Sequence, residues 1–218
     1  LEDGALLVVC DGMGGAKGGS TASSTASHAF AEAVEQGYQK NMKPSEMADL
    51  VALAATKANA AVYQAARQDP SLSGMGTTLV CLLAQGMDAI VGNIGDSRAY
   101  LIDEEGMRQV THDHSLVAEM VRRGELSSRE ASRHPNKNVI TRALGVESNV
   151  SCDVFPLSLK KGQYVLLCSD GLTNEVSEPE IYYEVFQSQA PERACDTLIE
   201  IARSRGGHDN ITVVLASF

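Results

Sequence analysis

Leu6-Leu7-Val8-Val9-Cys10-Asp11-Gly12-Met13-Gly14-Gly15 decides how the rest of this chain is read. Five apolar residues run into an aspartate, and three of the next four residues are glycine. A short, apolar, β-branched run stopped by turn residues predicts a buried strand. A carboxylate at its end sits at the rim of the core, where an unpaired negative charge is costly unless a cation or several donors meet it. Two readings of Asp11 are open on this stretch alone: a cap for the helix that follows, and a ligand. The pattern recurs twice. Gln163 to Cys168 runs into Ser169-Asp170-Gly171, and Gly206-Gly207-His208-Asp209-Asn210 leads into the final strand, Ile211 to Ala216.

Three carboxylates, Asp11, Asp170 and Asp209, thus stand where apolar strands meet glycine-bearing turns, and together they suggest a metal site at one edge of a sheet. Oxygen ligands without a His or Cys cluster suit Mg²⁺ or Mn²⁺ over zinc. Two such ions bridged by a shared carboxylate and water can generate hydroxide near neutral pH and clamp both oxygens of a phosphoryl transfer. Rival readings fail on spacing. Neither GxGxxG nor GxxxxGK[ST] can be laid on Gly12 to Ser20, and no G-x-S-x-G elbow is present.

The wider sequence narrows the class. The 218 residues, 44% hydrophobic and without a linker, repeat or low-complexity segment, predict one domain. A net charge of −10 argues against nucleic-acid partners and anionic membrane surfaces. No apolar run approaches the roughly 20 residues of a membrane span, and no signal peptide is visible. Cysteines 10, 81, 152, 168 and 195 are scattered, which reads as core residues of a reduced, cytoplasmic protein. None has an arginine six residues on, so cysteine-phosphatase chemistry is excluded.

Helical periodicity runs from the glycine turn to about Gly37, with His28 a packed or surface residue beside its apolar face, and again from Pro44 through an alanine-rich stripe. Strands follow at Thr77–Ala84, Ala89–Ile94, Ser97–Ile102 and Met107–Thr111. Links of two to four residues between them predict antiparallel hairpins throughout. Short helical pieces, Leu116 to Arg123 and Ser127 to Arg133, lie in an irregular segment at about 114–145 rich in arginine and lysine. Its local surplus of positive charge fits either a solvated face or a dock for an anionic substrate. Strands at Ser151–Pro156 and Gln163–Cys168, then helices at Glu178–Gln187 and Pro191–Arg205, complete an α+β layered arrangement.

Asp11-Gly12-Met13-Gly14-Gly15, Gly76-Thr77-Thr78, Gly95-Asp96-Ser97-Arg98, Ser169-Asp170-Gly171 and Gly207-His208-Asp209-Asn210 resemble, in order, the motifs of the PPM family. These are the type 2C metal-dependent serine/threonine protein phosphatases, and the match is nearest to compact bacterial members. The resemblance covers essentially the whole chain. It implies a central β-sandwich of two antiparallel sheets flanked by helices on both faces (αββα, four layers), with segment 114–145 as a flap. It implies that Asp11 bridges two Mn²⁺ or Mg²⁺ ions, that the Gly12 carbonyl faces the second, and that Asp170 and Asp209 hold the first. Asp96, with Asp170, would form a third, weaker site; its rival role is a turn aspartate bonded to nearby backbone. Asn210 would orient Asp209, and Asp113 would cap the helix after it. Arg129, Arg133 and Arg142 would dock phosphorylated proteins, the products of serine/threonine kinases.

Two departures qualify the resemblance. Met13 stands where some relatives carry a histidine, and the family's phosphate-binding arginine precedes the first motif, whereas only ten residues precede Asp11 here. Arg142 is the first candidate to take over the arginine's role. Beside an active phosphatase, the sequence leaves one alternative: a non-catalytic PPM-like module that binds phosphoproteins or regulates a partner.

Overall fold

The computed structural model describes residues 1–188 and 190–218. Strand β1 (Gly4–Val9) pairs antiparallel with β4 (Leu79–Gln85), β4 with β5 (Asp88–Ile94), and β5 with β8 (Asp153–Ser158). A second antiparallel sheet runs β10 (Val213–Ser217), β9 (Tyr164–Cys168), β6 (Arg98–Asp103), β7 (Gly106–Gln109). Two residues each of β2 (Gly12–Met13) and β3 (Gly76–Thr77) form a ribbon at the end of the first sheet.

The two sheets pack face to face, and alternation along β4 shows why the strand is apolar throughout. Val80, Leu82 and Ala84 point between the sheets with Val91, Ala99, Leu101, Val165 and Leu167. Leu79, Cys81 and Leu83 point the other way, onto α1 (Gly15–Gly37) and α2 (Pro44–Gln68). The outer face of the second sheet, carrying Tyr100, Ile102 and Leu166, is covered by α6 (Glu178–Gln187) and α7 (Pro191–Ser204). A strand buried on both faces loses the polar alternation of a half-exposed one. The layers are therefore helix, sheet, sheet, helix, as the resemblance implies.

One expectation fails. β4–β5 and β6–β7 are hairpins, but β5 and β6 lie in different sheets, so residues 95–97 carry the chain across the sandwich. Gly95 has φ +104°, a left-handed conformation closed to most side chains, and a Cβ there would lie 2.7 Å from the Thr78 methyl. The side chain of Ser97 then bonds Thr78 Oγ1 at 2.7 Å. These long-range contacts override the local hairpin preference.

A second polar anchor lies within the alanine stripe of α2. Asn59 is 2% exposed, accepts from the Gly145 backbone N–H at 2.7 Å, and donates to the carbonyls of Glu147 and Ser148. It pins the end of segment 114–145 to the helix layer. Asn59→Ala strands the buried N–H of Gly145, so it should lower unfolding free energy by about 2 kcal/mol in chemical denaturation without changing the m-value.

Candidate active site

Asp11, Asp96, Asp170 and Asp209 come together at one end of the sandwich, each delivered by a different device. Asp11 follows β1, and two threonines hold its backbone: Asp11 N–H donates to Thr78 Oγ1 at 2.9 Å, while Thr77 Oγ1–H and Thr78 N–H both donate to its carbonyl at 2.9 Å. The next residue, Gly12, lies under the first turn of α1, where a Cβ would fall 1.9 Å from the Gly19 carbonyl oxygen. Helix and turn approach this closely only because both positions are glycine. Thr78 also bonds Ser97, so the turn carrying Asp96 is fastened to the same threonine.

Asp170 opens the four-residue helix α5 (Asp170–Thr173) directly after β9. Its neighbour Ser169 fastens the loop of Asp209: Ser169 Oγ donates to the Asn210 carbonyl at 2.9 Å and accepts from Thr212 N–H at 3.0 Å. Ser-Asp-Gly and His-Asp-Asn, far apart in sequence, are thus two sides of one hydrogen-bonded junction.

Electrostatics report the convergence. Burial pushes the Asp11 carboxyl up, the charges of Asp170 and Asp209 push it further, and it reaches about 7. Asp96 also reaches about 7, through burial first and then the charges of Asp170 and Asp113. Asp170 is raised by burial and by the charge of Asp209. A protein gathers like charges at such cost where a cation is to offset them. Among the described residues, no three His, Cys, Asp or Glu side chains are already drawn together as a ligand set around one ion. Asp209 is exposed, its Oδ1 occupied by the Asn210 N–H at 2.8 Å. The coupling of Asp11, Asp96 and Asp170 and the all-oxygen donor set fit hard divalent cations.

Beside the carboxylates an open cleft of about 660 Å³ separates the sandwich end, with Asp96, Arg98 and Asp170, from segment 114–145, with Val117, Arg122 and Lys137.

The family model for protein phosphatase 2C matches residues 1–203. The chain belongs to the protein phosphatase 2C family. It is 39% identical over 210 residues to the serine/threonine phosphatase stp of Listeria innocua, covering 96% of this chain and 83% of that one. Among solved structures, the serine/threonine phosphatase Stp1 of Staphylococcus aureus superposes with a TM-score of 0.91 at 35% identity, over 98% of this chain and 83% of that one. The catalytic domain of the serine/threonine protein phosphatase PstP, solved in complex with two manganese ions, superposes with a TM-score of 0.84 at 32% identity, over 97% and 86%. With this membership the enzyme class read from the sequence, a protein-serine/threonine phosphatase, stands.

Several roles expected of neighbouring residues come out differently in the structure. Neither Asp11 nor Asp113 caps a helix. Gly14 occupies the N-cap position of α1, and Ser115 caps α3 (Leu116–Arg122) by accepting from Ala118 N–H. Asp113 is instead gripped by Arg98 through Nε and Nη2, the latter at 2.7 Å, with Gln109 as a further donor. Asn210 meets Asp209 through its backbone N–H, not its side chain. Arg142 is engaged through Nη1, which lies 2.6 Å from Asp153 Oδ1 and 3.1 Å from the Ser151 carbonyl. Arg129, on α4 (Ser128–Ala131), and Arg133 are exposed, and among the described residues neither is ion-paired.

His114 went unremarked in the sequence, yet it braces this end of the molecule. It is buried, accepts from Gly95 N–H at Nδ1 (3.0 Å), and so donates from Nε2 to Asp153 Oδ2 at 3.1 Å. Burial lowers its pKa below the ordinary histidine value. Burial also pushes Asp153 up, but the hydrogen bonds from His114 and Arg142 outweigh it and hold that carboxyl below the usual range.

The raised carboxyls carry a stability signature. Without divalent cations, folded Asp11 and Asp96 keep protons up to about 7, whereas the unfolded chain releases them near 4. Their contribution to stability is full below about pH 4 and is lost as pH rises through about 7. In chelator-treated protein, Asp96→Asn should match the wild-type Tm at or below about pH 4 and exceed it by a margin that grows as pH rises to about 7, reaching several °C at pH 8, read by calorimetry.

Proposed function

We propose that this chain is one PPM-type domain with a flap at about 114–145, and that it removes phosphate from phosphoserine and phosphothreonine in proteins with the help of Mn²⁺ or Mg²⁺. The observation that carries the reading is the clustering of Asp11, Asp96 and Asp170 at a cost in charge repulsion, within a fold whose relatives are phosphatases. Asp11, Asp170 and Asp209 would hold two core ions, with the Gly12 carbonyl toward the second, and Asp96 with Asp170 a third. Bound divalent cations would polarise a phosphoryl oxygen and lower the pKa of a water beside phosphorus.

The chain's own groups do the rest. Thr77 and Thr78 fix the backbone of Asp11, so its carboxylate needs no reorganisation when charge develops near it. Ser169 fixes the loop of Asp209 against Asp170. Arg98, gripping Asp113, brings positive charge near Asp170 and the cleft. The exposed Arg129 and Arg133 offer charge to acidic or phosphorylated flanks of a protein substrate, the kind a serine/threonine kinase produces. Five free cysteines, two fully buried, suit a reducing cytoplasm. No helix of the described chain is long and apolar enough to cross a membrane.

Turnover of p-nitrophenyl phosphate and of a phosphothreonine peptide should require added Mn²⁺ or Mg²⁺ and stop with a chelator. Asp11→Asn should lower kcat at least about 100-fold while circular dichroism stays native. Full turnover by chelator-treated wild type would overturn the reading. Reversing both flap charges, Arg129→Glu with Arg133→Glu, should raise KM for the phosphopeptide about three- to tenfold more than KM for p-nitrophenyl phosphate. Equal shifts on both substrates would count against a docking role.

A further inference from the structure

Asn174 follows Asp170 by one helical turn, and its side-chain amide is engaged at both ends. Nδ2 donates to Asp170 Oδ2 at 3.0 Å, and Oδ1 accepts from Lys137 Nζ at 3.0 Å. Lys137 belongs to the flap, where its backbone N–H donates to the His134 carbonyl at 3.1 Å. An ammonium has donors and no acceptor, so it decides which end of an amide faces it. With the oxygen of Asn174 turned to Lys137, its NH₂ must face Asp170. Asp170 is then held from one side by this N–H.

We propose that Lys137 and Asn174 form a latch through which the flap sets the orientation of Asp170. Both are positioning residues. Lys137, Asn174 and Asp170 line the same cleft, and among the described residues this contact is the flap's one side-chain hydrogen bond to the turn that begins with Asp170. The inference rests on the reading of Asp170 as a cation ligand. Closing the latch presents Asp170 in the conformation that ligation uses, so flap closure and cation binding favour each other, and each must strengthen the other by the same factor.

The test uses the whole chain without substrate, titrated with Mn²⁺ in a calorimeter: wild type, Lys137→Met, Lys137→Arg, Asn174→Ala and the double variant Lys137→Met with Asn174→Ala. Asn174→Ala and Lys137→Met should each weaken Mn²⁺ binding about three- to tenfold, and Lys137→Arg, still a pure donor, should stay within about twofold of wild type. Because the lysine acts through the asparagine, the double variant should bind no more weakly than Asn174→Ala alone. In parallel, trypsin should cut the metal-free chain at Arg129 and Arg133 about two- to fivefold faster in Lys137→Met and in Asn174→Ala, and Mn²⁺ should slow cutting in the wild type. Wild-type affinity in Lys137→Met, or effects that multiply in the double variant, would overturn the latch. If the wild type takes up no Mn²⁺, the cation reading falls and the latch with it. If it binds Mn²⁺ and Asp11→Asn does not, while Lys137→Met binds as the wild type does, the latch alone is wrong.

Discussion

Two threonine hydroxyls hold this site together. Thr77 and Thr78 occupy the amide and carbonyl of Asp11, and Thr78 reaches on to Ser97 in the turn that carries Asp96. An aspartate at the end of a β-strand has left the ladder and would otherwise keep an unsatisfied backbone at the rim of the core. Supplying those partners from the neighbouring strand converts a fraying end into a fixed one. Two acidic side chains are then placed by one residue, which is why repulsion between them does not simply push the turns apart.

The same economy appears on the other sheet. Ser169 both donates to and accepts from the loop of Asp209, so Asp170 and Asp209 are set by one hydroxyl. His114 and Asp153 brace the turn of Asp96 from behind, and Arg142 ties the end of the flap to the same carboxylate. Asp113 and Asp170, which face the cleft, are each met by a donor, the Arg98 guanidinium and the Asn174 amide.

The layers and the acidic cluster were legible in the sequence because both are written locally. An apolar run ending in Asp-Gly announces a strand end and a carboxylate in adjacent residues, and it does so at Asp11 and Asp170. What failed depended on partners far away in the chain. The three residues between β5 and β6 look like a hairpin link until Thr78 and Ser97 meet across the sandwich. Asp113 precedes a helix and so reads as a cap, but the guanidinium of Arg98 offers it a bidentate, charge-assisted partner that a backbone amide cannot match. Arg142 is one of several arginines in a basic segment, and nothing near it in sequence announces Asp153 on β8. Asn174, four residues past Asp170, was within reach of an i, i+4 argument; its second partner, Lys137, was not.

The crossing at residues 95–97 places Asp96 on the seam of the sandwich, with Asp11 at the end of one sheet and Asp170 and Asp209 at the end of the other. A seam of this kind is a mechanical joint. Any sliding of the two sheets against each other changes the distances between acidic groups on opposite sides, while sliding within one sheet leaves them alone. Anything that grips both sides therefore works as a clasp on the whole sandwich.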